Sequence, residues 1–318
     1  MDIKRTVLWV VFSLSILILW DNWMRYTGKP SMFFPTATQQ AKPAAGAGSA
    51  APAKSDVPQA SAGNAAPAAT PAASGAGGAT PVQSERITIT TDLVKADIDT
   101  AGGQLKRLEL LKHRDTIDPK KNVVLFDSSA ARTYLAESGL IGGDFPNHKS
   151  GFVAKPGQRS LDGNNQVQLV LESEQGGVKL TKTFTFKRGD YTIDVTHTVT
   201  NNSGAPIVPS LYLQLVRDGS KPEGESKFYS TFTGPAIYTD AEKFQKLDFE
   251  KIEKGKQEHA TKADSGWIAL VQHYFVSAFV PAEKNQREIF TKKVDTNLYA
   301  VGTIQPLGTI APGASVST

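Results

Sequence analysis

The sequence predicts an all-β fold, a large antiparallel β-sandwich, for the part of the chain after residue 84. Segments in which apolar and polar residues alternate recur from residue 85 to residue 318, and a period of two indicates half-buried strands. Glycine-containing turns separate several of these segments. Long stretches with helical periodicity are nearly absent from the same region, so many short strands in one sandwich domain are favoured.

Three strands are predicted where this domain begins. Arg86–Thr91 and Leu93–Asp99 each alternate between apolar and polar residues. Gly102-Gly103 predicts a turn, because consecutive glycines interrupt strands. Gln104–Leu111 follows as the third strand.

The strongest local signal is a β-hairpin between Val178 and Asn201, with a turn at Arg188-Gly189-Asp190. The predicted apolar face of this hairpin consists of Val178, Leu180, Phe184, Phe186, Tyr191, Ile193, Val195, His197 and Val199. The other face is rich in threonine, which suits a solvent-facing strand of an antiparallel sheet. The turn also matches a short adhesion motif, but the hairpin accounts for its three residues without adhesion.

Further strands are predicted at Gln166–Glu172, Val208–Val216, Ile289–Val294 and Leu298–Ile304. Trp267–Pro281 is apolar on both faces and longer than an average strand. We interpret it as a bent strand or as two strands that meet near His273. A buried helix is the alternative, because its apolar residues also fit helical spacing. The stretch Glu242–Lys256 mixes charges of both signs, which indicates a solvated surface segment.

Residues 1–35 are predicted to form an N-terminal transmembrane anchor. Lys4 and Arg5 precede an uncharged apolar run, and Thr6–Met24 is close to the roughly 20 residues that a spanning helix needs. Aromatic and polar residues in Trp20–Tyr26 are typical of the membrane interface. Signal peptidase requires small residues at the −3 and −1 positions after the run, whereas the run ends in Trp20-Asp21-Asn22-Trp23-Met24, so we expect an uncleaved anchor with its N-terminus in the cytoplasm.

Residues 36–84 are predicted to be a disordered linker. Of these 49 residues, 35 are alanine, proline, glycine or serine and none is aromatic, so the segment has too little apolar surface to fold. Its glycine-rich stretches lack a following strand and helix, which excludes a phosphate loop. The net charge of +4 divides into +3 for residues 1–84 and +1 for residues 85–318. The domain therefore has no basic excess, and we expect no nucleic-acid partner.

The domain sequence offers no clear catalytic or metal site. The chain has no cysteine, which excludes disulfides, thiol catalysis and cysteine-based metal sites. His197 and His273 lie in apolar strands, where we expect buried, neutral imidazoles with a hydrogen bond. His113, His148 and His259 lie among charged or loop residues, where we expect them to be solvated, and no pair of histidines has metal-ligand spacing. We therefore predict no catalytic residue, no cofactor and no metal.

Several stretches of the chain resemble the YidC family of bacterial membrane protein insertases. At the N-terminus these are Met1-Asp2, Lys4-Arg5 and Trp20-Asp21-Asn22-Trp23. In the domain they are Tyr134–Gly142, Leu180–Phe184, Lys187–Tyr191, Gly266–Leu270, Gln272–Phe275 and Val280-Pro281. Their order and spacing, together with the anchor, extend the resemblance over the whole chain.

The resemblance implies that residues 85–318 form a periplasmic β-supersandwich, similar to galactose mutarotase-like and carbohydrate-binding proteins. It implies a bacterial inner-membrane insertase and chaperone, not an enzyme, in which residues after about 25 are periplasmic. The implied partners are the Sec translocon with its accessory subunits, nascent inner-membrane proteins and the lipid bilayer. It also implies five further transmembrane segments beyond Thr318, so we interpret the chain as the N-terminal part of an insertase.

The alternative function is a membrane-tethered periplasmic β domain that binds carbohydrate or acts as an aldose epimerase. Epimerase chemistry needs a general acid and a general base in one pocket. His197, His273 and a carboxylate would have to converge for this, and their expected burial argues against it. A pure binding module would differ from the insertase in having no downstream membrane segments.

Overall fold

The computed structural model describes residues 56–60, 84–222 and 231–318. The predicted anchor and most of the predicted linker lie outside these ranges. Residues 56–60 belong to the predicted linker, and Asp56 within them contacts the β domain. No helix in the three described ranges is long and apolar enough to cross a membrane.

A nine-stranded sheet forms the largest layer of the domain. In sheet order its strands are β1 (Arg86–Thr90), β2 (Val94–Asp99), β3 (Gln104–Arg114), β4 (Asn122–Ser128), β5 (Thr133–Ile141), β10 (Ser210–Asp218), β17 (Leu298–Pro306), β16 (Arg287–Asp295) and β13 (Lys262–Ala263). Each strand pairs antiparallel with its neighbours. Successive side chains of the central strands β5 and β10 point alternately to the two faces of the sheet.

Two smaller sheets complete the domain. The five-stranded sheet has the order β18 (Ser315–Ser317), β9 (Ile193–Asn201), β8 (Val178–Lys187), β7 (Gln166–Gln175) and β6 (Val153–Ala154). The four-stranded sheet has the order β12 (Lys243–Lys246), β11 (Gly234–Thr239), β14 (Trp267–Gln272) and β15 (Phe275–Phe279). One short helix, α1 (Phe249–Glu253), follows β12.

The predicted all-β fold is confirmed, and the strands that alternation predicts are present within a few residues. Trp267–Pro281 forms two strands, β14 and β15, which meet at His273 and Tyr274. The two-strand interpretation is therefore confirmed and the helical alternative is wrong. Alternation did not predict β4, β5, β6, β11, β12 or β13, and helix α1 lies within the charged stretch Glu242–Lys256.

The three sheets share one hydrophobic core. Leu180 and Phe186 of β8 are buried with Leu215 of β10 and with Ile268 of β14, so each sheet contributes its apolar face. Burying one such side chain fully contributes about 1.5–3 kcal/mol. The alternation in the sequence thus determines which face of each strand lies in this core.

A lysine and a histidine lie inside this otherwise apolar core. Lys182 of β8 is fully buried and His197 of β9 is its direct cross-strand partner. The Lys182 Nζ donates hydrogen bonds to the carbonyl oxygens of Gly102 and Ser138, both at 2.8 Å. Nζ also lies 4.7 Å from the ring centre of Phe152, a distance suited to a cation–π contact. The lysine thereby joins β8 to the turn before β3 and to β5.

The pair titrates far from its ordinary range because water cannot reach it. Burial lowers the pKa of Lys182 from 10.5 to about 7, and the charge of Glu137 opposes this change. Burial, with a smaller effect from Lys182, lowers the pKa of His197 from 6.5 to about 3. His197 Nε2 hydrogen bonds with Ser138 Oγ at 2.8 Å. The prediction of a buried, neutral and hydrogen-bonded imidazole at His197 is therefore confirmed.

We predict that Lys182 makes the domain more stable as pH rises from about 7 to about 10. In this range the unfolded chain binds more protons than the folded chain, because the pKa of Lys182 is lower in the folded protein. The free energy of unfolding should rise by up to about 1.4 kcal/mol per pH unit. Urea denaturation followed by circular dichroism measures it, and Lys182→Met should remove the rise. Parallel curves for the wild type and this variant would contradict the prediction.

We also predict that His197 destabilises the domain in acid. Its pKa is about 3 in the folded state and 6.5 is its ordinary value, so unfolding takes up a proton between these pH values and stability falls as pH decreases. His197→Gln should flatten the stability curve between about pH 6.5 and about pH 3. His113→Gln is the control, because His113 is exposed and its replacement should leave the slope intact. Equal slopes in all three proteins would refute this role.

Candidate functional site

The four-stranded sheet has an open edge at β15. β15 pairs with β14 on one side, and no strand in the described residues pairs with its other side. An edge strand presents unpaired N–H and C=O groups, so another extended chain can add to it. This edge is therefore a candidate binding site for an extended peptide.

Exposed apolar side chains flank the open edge. Tyr274, in the turn before β15, is 78% exposed, and Val276 and Val280 are 58% and 73% exposed. We call these three residues the edge patch. Natural proteins usually protect open edges with charged residues, and the edge patch has none. Its uncharged character indicates a surface that contacts a partner.

An aromatic row continues this surface across the sheet. Tyr238 of β11 pairs with Phe244 of β12 on one side and with Trp267 of β14 on the other. The ring centre of Trp267 lies 5.9 Å from each of the other two ring centres. Val276 lies on the same face, because it pairs with Val271, which is four residues along β14 from Trp267. Val276 of the edge patch thus lies on the same face of the sheet as the aromatic row.

One property of the sequence indicates this surface, although the alternation of apolar and polar residues does not. Trp267–Pro281 is apolar on both faces, whereas a strand with one solvated face alternates. The inward face carries Leu270 and the outward face carries Val276. Apolar residues on the outward face of an edge hairpin identify a contact surface once the pairing is known.

The structure corrects the prediction for His273. This side chain is exposed and lies in the two-residue turn between β14 and β15, where its ring stacks on Tyr274 with 3.6 Å between centres. The prediction of a buried imidazole was wrong, because the apolar run folds back on itself at His273 instead of passing through the core.

The structure also corrects the prediction for His148. We expected a solvated side chain, but this residue is 5% exposed. It lies over the face of the nine-stranded sheet that carries Tyr212, which we call the second face. The Tyr212 hydroxyl lies 2.5 Å from its Nδ1 and accepts a hydrogen bond of 3.0 Å from its backbone N–H. Its carbonyl oxygen accepts a hydrogen bond from Gln104 Nε2 at 2.7 Å. Contacts distant in sequence therefore bury this histidine.

Carboxylates surround the free edge of the His148 ring. Its Nε2 lies 3.3 Å from Asp56 Oδ2 and 3.9 Å from Glu137 Oε2. The other Asp56 oxygen contacts the Lys149 ammonium. Partial burial raises the pKa of Asp56, but contacts with Lys149 and His148 have the larger combined effect and lower it. Glu137 Oε2 also accepts a hydrogen bond from Gln214 Nε2 at 2.7 Å.

The histidines do not form a common catalytic or metal site. His197 lies between sheets and hydrogen bonds with Ser138, whereas His273 lies at an exposed turn. His113 is exposed, as expected, and His259 is half-buried. In the described part of the chain no group of three histidine, aspartate or glutamate side chains could hold a metal ion. The convergence that an epimerase requires is therefore not found for His197 and His273.

Comparison with known proteins agrees with the fold and covers the whole chain. A family model described as the YidC periplasmic domain matches residues 86–318. Proteins named "Membrane protein insertase YidC" from Janthinobacterium sp. (strain Marseille) and Herminiimonas arsenicoxydans are 63% and 64% identical to the chain. Each alignment covers 100% of this chain and 56% of the relative. The chain thus spans about half the length of the relatives it matches.

Solved structures with low sequence identity are partly similar to the domain. A galactose mutarotase related enzyme from Lactobacillus acidophilus is 10% identical, with a TM-score of 0.47, over 74% of this chain and 95% of that chain. A putative aldose 1-epimerase from Escherichia coli K12 is 11% identical, with a TM-score of 0.41, over 74% and 96% of the two chains.

The match of the family model and the identity to its named members agree on one assignment. The chain belongs to the YidC family of membrane protein insertases, and residues 86–318 are the periplasmic domain of that family.

Proposed function

We propose that this chain is the N-terminal part of an insertase and chaperone that assists the insertion and folding of inner-membrane proteins. It acts alone or with the Sec translocon. The observation that carries the proposal is the identity of 63% and 64% to two named insertases along the entire chain. Since the chain spans 56% of those relatives, insertase activity, partners and substrates belong to the longer protein.

The proposed topology places the N-terminus in the cytoplasm and residues after about 25 in the periplasm. Lys4 and Arg5 before the apolar run support this orientation. The description of residues 86–318 as a periplasmic domain supports it independently. Residues 1–35 would anchor the domain in the inner membrane, and residues 36–84 would link the two parts.

The proposed role of the β domain is to hold an extended apolar segment of an inserting membrane protein. The open edge of β15 offers backbone hydrogen-bonding groups, and the edge patch offers apolar side chains beside them. Backbone pairing at a sheet edge is tolerant of sequence, which suits a protein with many substrates. The aromatic row extends the apolar contact beyond the edge.

We predict that a photo-cross-linking residue at position 276 in the full-length protein captures a stalled, inserting membrane protein. Val276 is exposed on the edge strand. Lys95 is the matched control, because it is exposed on β2, which has paired strands on both sides. Cross-links at position 276 should exceed those at position 95 about tenfold, a difference of ~1.4 kcal/mol. Equal yields at the two positions would contradict the proposed role of the edge.

We further predict that residues 1–318 do not by themselves replace the insertase in cells depleted of it. One predicted anchor cannot form a groove between membrane segments, and polar parts of a substrate need such a path through the bilayer. The full-length gene should restore growth in the same cells. Restored growth with residues 1–318 alone would refute the assignment of insertion to the downstream half.

A further inference from the structure

A short segment of the predicted linker lies against the second face of the nine-stranded sheet. Residues 56–60 belong to the same compact unit as the β domain. Pro58 is buried, Asp56 and Val57 are half-buried, and Gln59 and Ala60 are exposed. Within these five residues, the buried and half-buried positions are therefore the consecutive residues Asp56, Val57 and Pro58.

The receiving surface is built from polar side chains that other contacts already hold in place. Glu137 and Gln214 are directly paired residues of β5 and β10, and both are buried. Tyr212 fixes the His148 ring and backbone from the same face of β10. Lys149, next to His148, is the exposed member at the rim, with a side chain 55% exposed.

Asp56 places a carboxylate beside the two basic side chains of this surface. Its carboxylate reaches Lys149 with one oxygen and lies 3.3 Å from His148 Nε2 with the other. Nε2 is buried and has no hydrogen-bond partner among the described residues, and a buried polar atom without a partner is costly. The carboxylate of Asp56 is therefore the group that faces the open position of this imidazole.

The composition of the linker singles out the same segment. Between residues 36 and 81, Asp56 is the sole acidic residue and Val57 is the sole branched aliphatic residue. Pro58 follows at once and restricts the backbone before docking, which reduces the entropy lost on binding. Within residues 36–81 a charged residue, a branched aliphatic residue and proline occur together at Asp56-Val57-Pro58, and Asp56 contacts the domain.

We propose that Glu137, His148, Lys149, Tyr212 and Gln214 form a docking site for the chain's own segment Asp56-Val57-Pro58. The ligand class is a short peptide with a carboxylate followed two residues later by proline. Docking divides the predicted linker into two shorter parts and reduces the distance that the domain can move from the anchor, since the reach of a chain grows with its length. This inference is independent of the proposed insertase activity.

Spin labelling tests the docking directly, because the chain has no native cysteine. Ala60→Cys places a nitroxide on an exposed residue two positions after Pro58, and Ala68→Cys is the reference within the linker. We expect an immobilised spectrum at position 60 and a mobile one at position 68, in the full chain in detergent micelles. Equal mobility at both positions would overturn the proposal.

Two variants test whether the named charges hold the segment. Lys149→Glu and Asp56→Asn should each convert the spectrum at position 60 to the mobile form. Lys155→Glu is the matched control, because Lys155 is also ion-paired and its side chain is 52% exposed; the immobilised spectrum should persist. An immobilised spectrum in Lys149→Glu or in Asp56→Asn would overturn the proposal.

Trypsin provides a second readout that does not depend on a label. Lys42 precedes Pro43, so Lys54–Ser55 is the cleavable bond within residues 36–84. Lys149→Glu leaves the sequence around this bond unchanged and should speed its cleavage about tenfold, which corresponds to ~1.4 kcal/mol of docking free energy. Lys155→Glu should cleave at the wild-type rate. Equal cleavage rates in the wild type and Lys149→Glu would count against docking.

Discussion

The fold of this periplasmic domain depends on one buried lysine at the junction of two sheets. Lys182 reaches from β8 to carbonyl oxygens of Gly102 and Ser138, which belong to the turn before β3 and to β5. A buried polar group without a partner costs about 1–3 kcal/mol. The Lys182 amine and the two carbonyl oxygens therefore stabilise one another's burial. Apolar burial supplies most of the stability, but this contact fixes how the two sheets are placed against each other.

A glycine turn makes this contact possible and connects it to the opposite face of the sheet. Gly103 has a φ of +55°, and a Cβ there would lie 3.2 Å from Lys182 Cδ. Gly102 has a φ of +82°, and a Cβ there would lie 2.1 Å from the carbonyl oxygen of His148. The same two glycines therefore place the core lysine on one side and the docking site on the other. The edge of β15 lies in a different sheet and has no strand partner among the described residues.

Local patterns predicted the strands, and contacts distant in sequence determined the rest. The hairpin of β8 and β9 could be predicted because a period of two is a local property, and the same alternation places Lys182 on the apolar face. Its partners Gly102 and Ser138 lie 80 and 44 residues away in sequence, so no local pattern identifies them. His148 has polar neighbours and was expected in solvent, but Tyr212, 64 residues away, buries it. Strands of two or three residues such as β6 and β13 form only because a longer strand pairs with them.

Nuclear magnetic resonance of lysine Cε atoms tests most directly whether a desolvated lysine joins the sheets. Lys182→Met assigns the signal of Lys182 by its loss from the spectrum. If the residue is buried against the carbonyl groups, its Cε shift should titrate with a pKa of about 7, well below the ordinary 10.5. A titration near 10.5 would show that water reaches the ammonium group, and would contradict a dry junction between the two sheets.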